Sequence, residues 1–170
     1  APDTGEVEVP VYILAIKCGF SHMCLLHACT HADSISACKG VMRWCSTYGI
    51  PSIIQSDGGP HFRARLFALL NESLRVKTNI SSAYTPWANG SIENLNAQAL
   101  RVFRALLSEL NMRTGKWTEI VELVQYVLNS TDCPTLGNKS PMEVMFGRRP
   151  DTPIDMLAWS GHDLKEIEVR

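Results

Sequence analysis

Stretches of strand length and composition alternate with longer stretches of helical period along this chain, and that order leaves few folds open to it. Val11 to Lys17 (Val-Tyr-Ile-Leu-Ala-Ile-Lys) is a short apolar run rich in β-formers, read as a strand buried on both faces. Cys18-Gly19 offers a turn, and His22 to Cys29 follows as the second strand of a hairpin. Ser34 to Tyr48 carries Ile35, Cys38, Val41, Met42 and Cys45 at spacings of three and four, which predicts one inward helix face. Asp33 or Ser34 caps its start and Gly49 ends it. Ile50 to Gln55 reads as a strand. Phe62 to Leu74 reads as a helix with Phe62, Leu66, Leu69, Leu70 and Leu74 inward, and Arg75 to Ile80 as another strand. Ser81 to Gly90, broken by Pro86 and Gly90, is expected to be a loop. Ser91 to Leu110 has the longest helical pattern, followed by Trp117 to Asn129 and the short Ser140 to Phe146. This order predicts an α/β fold with a hairpin start.

The 170 residues fit one domain on a prior of ~100–200 residues per domain. Residues 1–150 are read as that domain and 151–170 as a tail or linker, because the pattern weakens after Pro150. With 16 Lys and Arg against 17 Asp and Glu, the net charge of −1 excludes a polybasic binder. No apolar run approaches the ~18 residues of a membrane span, and the polar start carries no signal peptide, so no membrane partner is expected. The first residue is Ala, so the chain reads as a piece of a longer translation product. Six cysteines lie at 18, 24, 29, 38, 45 and 133 without C-x2-C spacing. They read as small buried hydrophobes in a reducing, intracellular compartment.

Two acids stand out by context. Asp57 closes an apolar run and is followed by Gly58-Gly59, a strand end opening into a loop, where α/β sheets form ligand sites. Glu93 lies near the start of the longest helix. At about 100° per residue, Asn89, Glu93, Asn96, Leu100 and Arg104 share one stripe. Ile92, Leu95, Ala99, Val102, Phe103, Leu106 and Leu110 make the apolar face. Carboxylates on rigid elements suit hard cations such as Mg²⁺, although most exposed acids are only solvated charges.

Between Asp57 and Glu93 lie 35 residues. Their surroundings are Ile-Gln-Ser-Asp-Gly-Gly-Pro-His-Phe and Ala-Tyr-Thr-Pro-Trp-Ala-Asn-Gly-Ser-Ile-Glu-Asn-Leu-Asn. These segments resemble the second and third acids of the retroviral and LTR-retrotransposon integrase core, most closely the Ty3/gypsy type. Ile-Lys-Cys-Gly-Phe-Ser-His resembles that family's second strand and turn, and Ser140-Pro-Met-Glu-Val-Met-Phe-Gly147 the motif after its core helices. The resemblance covers roughly residues 11–150. It implies an RNase H-like fold, a mixed five-stranded sheet flanked by helices, with the first strand missing from this chain. It also implies DNA 3′-end processing and strand transfer, two in-line displacements at phosphorus served by two Mg²⁺ or Mn²⁺ ions. Asp57 and Glu93 would each bind one metal. The bridging Asp belongs to the missing first strand. Asp3 is a poor substitute, because no apolar strand precedes it. As an isolated chain, the protein is therefore expected to be inactive.

The same resemblance implies element-end and target DNA as partners, a dimer or higher oligomer packed through the long helices, and a nuclear location. Asn89 and Asn96 are candidates for DNA contact or support of Glu93, set against helix capping and plain solvation. Tyr84 and Trp87 could stack on unpaired bases, although Trp87 could equally be a core plug. Arg104 is a candidate for phosphate contact, with Arg63, Arg65, Arg101, Arg148 and Arg149. His61 is read as a surface residue. The alternation of His22, Cys24, His27, Cys29 and His31 tempts a zinc reading, but a strand sets alternate residues in a row rather than around a point. Two other readings remain: a decayed or co-opted integrase fold that binds DNA or protein without catalysis, and another nuclease of the same fold. The 35-residue spacing argues against the last.

Overall fold

The computed structural model describes residues 9–80 and 86–149, with 86–89 described by backbone alone. Four strands and six α-helices follow in the order β1 (Tyr12–Lys17), β2 (Cys24–Cys29), α1 (Ser34–Tyr48), β3 (Ile53–Ser56), α2 (Pro60–Arg63), α3 (Arg65–Ser73), β4 (Lys77–Ile80), α4 (Pro86–Glu109), α5 (Val121–Ser130) and α6 (Pro141–Phe146). Short 3-10 turns occupy Thr114–Ile120 and Pro134–Leu136.

Among the described residues, the strands form two separate two-stranded sheets. β1 and β2 pair antiparallel, from Tyr12 opposite Cys29 to Lys17 opposite Cys24. β3 and β4 pair parallel, from Ile53 opposite Lys77 to Ser56 opposite Ile80. The sheet is thus mixed in sense and divided in two. A cavity of about 190 Å³ separates the halves. Ile16 and Lys17 of β1 line one side, Ile53 and Ile54 of β3 the other, and Val41 and Trp44 of α1 the floor.

Period-two alternation on β2 builds two cores. Leu26 packs with Ala99 and Phe103 of α4 and with Val121 and Val124 of α5. Its neighbour Leu25 faces the other way, onto Trp44 of α1. Both leucines are fully buried, which stabilises the fold by about 1.5–3 kcal/mol each. Ala37 and Val41 of α1 meet Phe67 of α3 in a third cluster, so α1 serves both sheets. Buried Gly40 is what lets α1 lie close to β1, since a Cβ there would run into the Leu14 methyl. The N-cap of α1 is Asp33, whose carboxylate accepts from the Ser36 N–H at 2.8 Å, and Gly49 ends the helix at φ 93°.

Several expectations need correction. β1 is not buried on both faces: Tyr12 is 50% and Ile13 37% exposed, because the sheet half it belongs to has only two strands. On α1, Ile35 and Met42 are exposed and Trp44 is the large buried residue. The helix expected over 62–74 breaks at extended Ala64, which rotates the following turns. Phe67 is then inward, while Leu66 and Leu69 are exposed. Leu110, expected on the apolar face of the longest helix, is exposed just past its end. That helix begins at Pro86, so residues 86–90 are helical and not loop. Proline is tolerated in a first helical turn, where its missing N–H has no partner to lose. The stretch 114–120 is 3-10 rather than α, and α5 starts at Val121.

Candidate functional site

Asp57 sits in the short connection between β3 and α2, with its side chain exposed. Its Oδ1 accepts the Gly59 N–H at 3.1 Å, a turn closed by an aspartate on its own backbone. The two glycines allow close approach. A Cβ on Gly58 would lie 2.6 Å from Arg63 Nη2, and one on Gly59 would lie 2.9 Å from His61 Cε1 and 3.0 Å from Asp57 Oδ1. The loop therefore gathers a carboxylate, an imidazole and a guanidinium around bare backbone. His61 is half-buried, its ring 4.3 Å from that of Phe62, which meets Phe67 edge-on at 5.5 Å and ties α2 to the core.

Glu93 lies on α4 with its side chain exposed, and Asn96, Leu100 and Arg104 are exposed along the same stripe, as the helical period requires. Leu95, Ala99 and Phe103 are buried on the opposite flank and fix the rotation of the helix. Asn89 falls inside the helix, three residues after its start, which removes the capping reading. Tyr84 and Asp3 lie outside the described residues, as does 151–170. Arg63, Arg65, Arg101, Arg148 and Arg149 are all exposed.

Lys17 is a residue the sequence reading passed over. Its Nζ donates to Ser91 Oγ at 2.9 Å and approaches the Ser91 carbonyl at 3.4 Å, joining the end of β1 to α4 two residues before Glu93. Burial pushes the Lys17 ammonium below its usual range. The available signal was a lysine closing an apolar strand.

Asp57 and Glu93 are exposed, hard oxygen donors, which suits Mg²⁺ or Mn²⁺ in kind. The described interactions hold Asp57 within its own loop and leave Glu93 on the open flank of α4. Among the described residues, no three His, Cys, Asp or Glu side chains gather as a metal-holding group. In the His/Cys alternation on β2, Cys24 and Cys29 are buried, and burial pushes the Cys24 thiol up to about 12. All six cysteines are free thiols. Among the described residues, no helix is long and apolar enough to cross a membrane.

No protein-family model matches the chain. It is 28% identical to the Pro-Pol polyprotein of simian foamy virus type 3 over 124 residues, which is 73% of this chain and 10% of that polyprotein. It is 32% identical to the Gag-Pol polyprotein of avian reticuloendotheliosis virus over 104 residues, 61% of this chain and 8% of that polyprotein. The chain thus spans a tenth or less of the length of these relatives. Among solved structures it is similar to the simian T-cell lymphotropic virus intasome in complex with the PP2A regulatory subunit B56 gamma. There the TM-score is 0.67 at 17% identity, covering 92% of this chain and 58% of that one. It is also similar to the HTLV-2 integrase catalytic core domain in complex with magnesium, in its trimeric form. That match has a TM-score of 0.63 at 16% identity, covering 79% of this chain and 92% of that one. The chain is related in sequence to the Pol polyproteins of retroviruses, and it shares its RNase H-like fold with retroviral integrase catalytic cores.

Proposed function

We propose that the chain acts within a longer retroelement polyprotein product as the core that trims DNA 3′ ends and joins them to a target duplex. The observation that carries this reading is the placement of Asp57 directly after β3 and Glu93 on the exposed flank of α4, in segments that resemble the family's second and third acids. Asp57 and Glu93 would hold divalent metal. When bound, such ions activate the attacking oxygen and stabilise the leaving oxygen. The chain's own part would be to hold one carboxylate in the turn after β3 and one on α4, and to offer Asn96 and Arg104, exposed along the stripe of Glu93, to DNA; Asn89 and Tyr84 remain candidates read from the sequence.

The bridging acid is read onto a strand seated between β1 and β3. The cavity there has a strand edge on each side and α1 beneath it, so a strand in that place would pair with both halves. An intasome and dimeric and trimeric forms among the similar integrase structures support DNA and further copies of the chain as partners. A nuclear site of action and a tail or linker role for 151–170 follow the same reading.

The test is a chain extended at its N-terminus by an apolar strand ending in Asp, assayed with a recessed DNA end, target DNA and Mn²⁺. Strand transfer is expected, and it should fall to background in both Asp57→Asn and Glu93→Gln. An extended chain that folds, binds DNA and stays inert would favour the non-catalytic reading. Activity surviving in Glu93→Gln would remove Glu93 from the acidic set.

A further inference from the structure

A second cavity, about 600 Å³ in volume, opens between α4, the C-terminal end of α5 and the turn that follows it. Its apolar wall comes from α4 and α5, and its size is that of pockets which take small molecules. Its polar lining draws on three distant stretches of sequence, among them Lys17 and His22 from the first hairpin, Arg101 from α4, and Cys133 with Thr135 from the turn. Asp132 is the acidic residue of the lining.

The cluster around Cys133 is closely coupled. Its Sγ lies 3.0 Å from Thr135 Oγ1 and 4.0 Å from His22 Nδ1, and Thr135 Oγ1 lies 3.4 Å from the same imidazole nitrogen. His22 is held in left-handed backbone at φ 60°, with its N–H bonded to the Cys18 carbonyl at 3.1 Å. A non-glycine residue in that conformation is stored strain, and here its ring lies beside Cys133 and Thr135. The Thr135 hydroxyl, with a smaller contribution from the Lys17 ammonium, holds the Cys133 thiol below its usual range. Burial, then Lys17, holds the His22 imidazole below its own, which favours the neutral ring. Cys24 lines the same cavity but is buried, with its thiol pushed the opposite way.

A thiol beside an imidazole and a hydroxyl, in an open cavity whose lining also carries Lys17 and Arg101, is the setting of a reactive cysteine. We propose that this cleft is a thiol-exchange site at which Cys133 reacts with low-molecular-weight disulfides that carry carboxylates. The Cys133 proton passes to His22. The thiolate attacks one sulfur of the disulfide, a new S–S bond forms to Cys133, and the old S–S bond breaks. The second half leaves as a thiolate and takes a proton from solvent. Lys17 and Arg101 supply the preference for an anionic reagent, and the proposal does not depend on the integrase reading.

The experiment treats the full 170-residue chain with oxidised glutathione and maps adducts by peptide mass spectrometry over time. Cys133 is expected to react about tenfold or more ahead of every other cysteine, since rate follows thiolate fraction and access. Cys18 is the internal rival: burial raises its thiol, but hydrogen bonds from Ser21 and Phe20 together lower it further. Equal rates at Cys18 and Cys133 would overturn the assignment. Cationic cystamine should react at Cys133 several-fold more slowly than oxidised glutathione. Arg101→Gln, on the exposed face of α4, should narrow that difference without disturbing the fold. Cystamine reacting as fast as oxidised glutathione on the unaltered chain would refute the anionic preference.

Discussion

The two sheet halves treat their edges differently. β2 has no strand on its outer side among the described residues, yet side chains satisfy part of its backbone there. Asn129 of α5 accepts from the Cys24 N–H and donates to the Cys24 carbonyl, both at 2.8 Å, and Gln125 accepts from the Leu26 N–H at 2.8 Å. Two side chains on one helix thus do the work of a strand, and β2 is buried along most of its length. β3 and β4 have nothing comparable in the described contacts. Every residue of β4 is exposed, and Ile53 on β3 is 59% exposed. In this molecule the two-stranded pair that forms a wall of the core is the one whose free edge is capped and whose face is covered by α4 and α5.

Three substitutions test that contrast. Asn129→Ala should have the largest effect, because it strands a buried N–H and a buried carbonyl at Cys24 in the capped half. A loss of about 2–4 kcal/mol is expected in urea unfolding, and a loss no larger than that of an exposed alanine substitution would end the edge-capping account. Asp33→Asn probes α1, which serves both halves, and its effect should be smaller. The Ser36 N–H, and then the Ser36 hydroxyl, hold the Asp33 carboxyl below its usual value. Its contribution is present above the unfolded pKa of about 3.9 and is lost as pH falls through the lower folded value. The urea midpoint should therefore drop more steeply below about pH 4 in the parent chain than in Asp33→Asn. Ile53→Thr, on the uncapped half, should change stability by less than about 0.5 kcal/mol. A larger loss would mean that the exposed edge of β3 is packed in solution by something outside the described residues.

The elements legible in sequence were those whose ends carry their own chemistry. Asp33 and Gly49 bracket α1 as read, and the apolar stripe of α4 is buried through Leu95, Ala99 and Phe103. The order of strands and helices was readable for the same reason. Errors arose where one residue type fits two uses. Pro86 was read as a breaker although it opens a helix, and Trp44 was passed over because Ile35 and Met42 completed an equally good stripe. Asn129 looks in sequence like a solvated residue near a helix end. Only the packing of α5 on β2 turns it into a backbone partner. Within the candidate site, Asp57 and Glu93 are singled out in sequence by their flanking residues, and the structure sets one just after β3 and the other on α4. Lys17 is not singled out, because its use depends on the approach of Ser91, 74 positions away.

The sealing of β2 by Asn129 has a consequence in time. The two partners are 105 positions apart, so a ribosome delivers the hairpin long before it delivers its cover. At about 5–20 residues per second, the edge of β2 is made roughly 5–20 seconds before α5. During that interval the nascent hairpin presents Cys24 and Leu26 with raw backbone, and any extended segment nearby competes for them. A chaperone that holds the hairpin until α5 emerges would act at the point of greatest exposure of that edge.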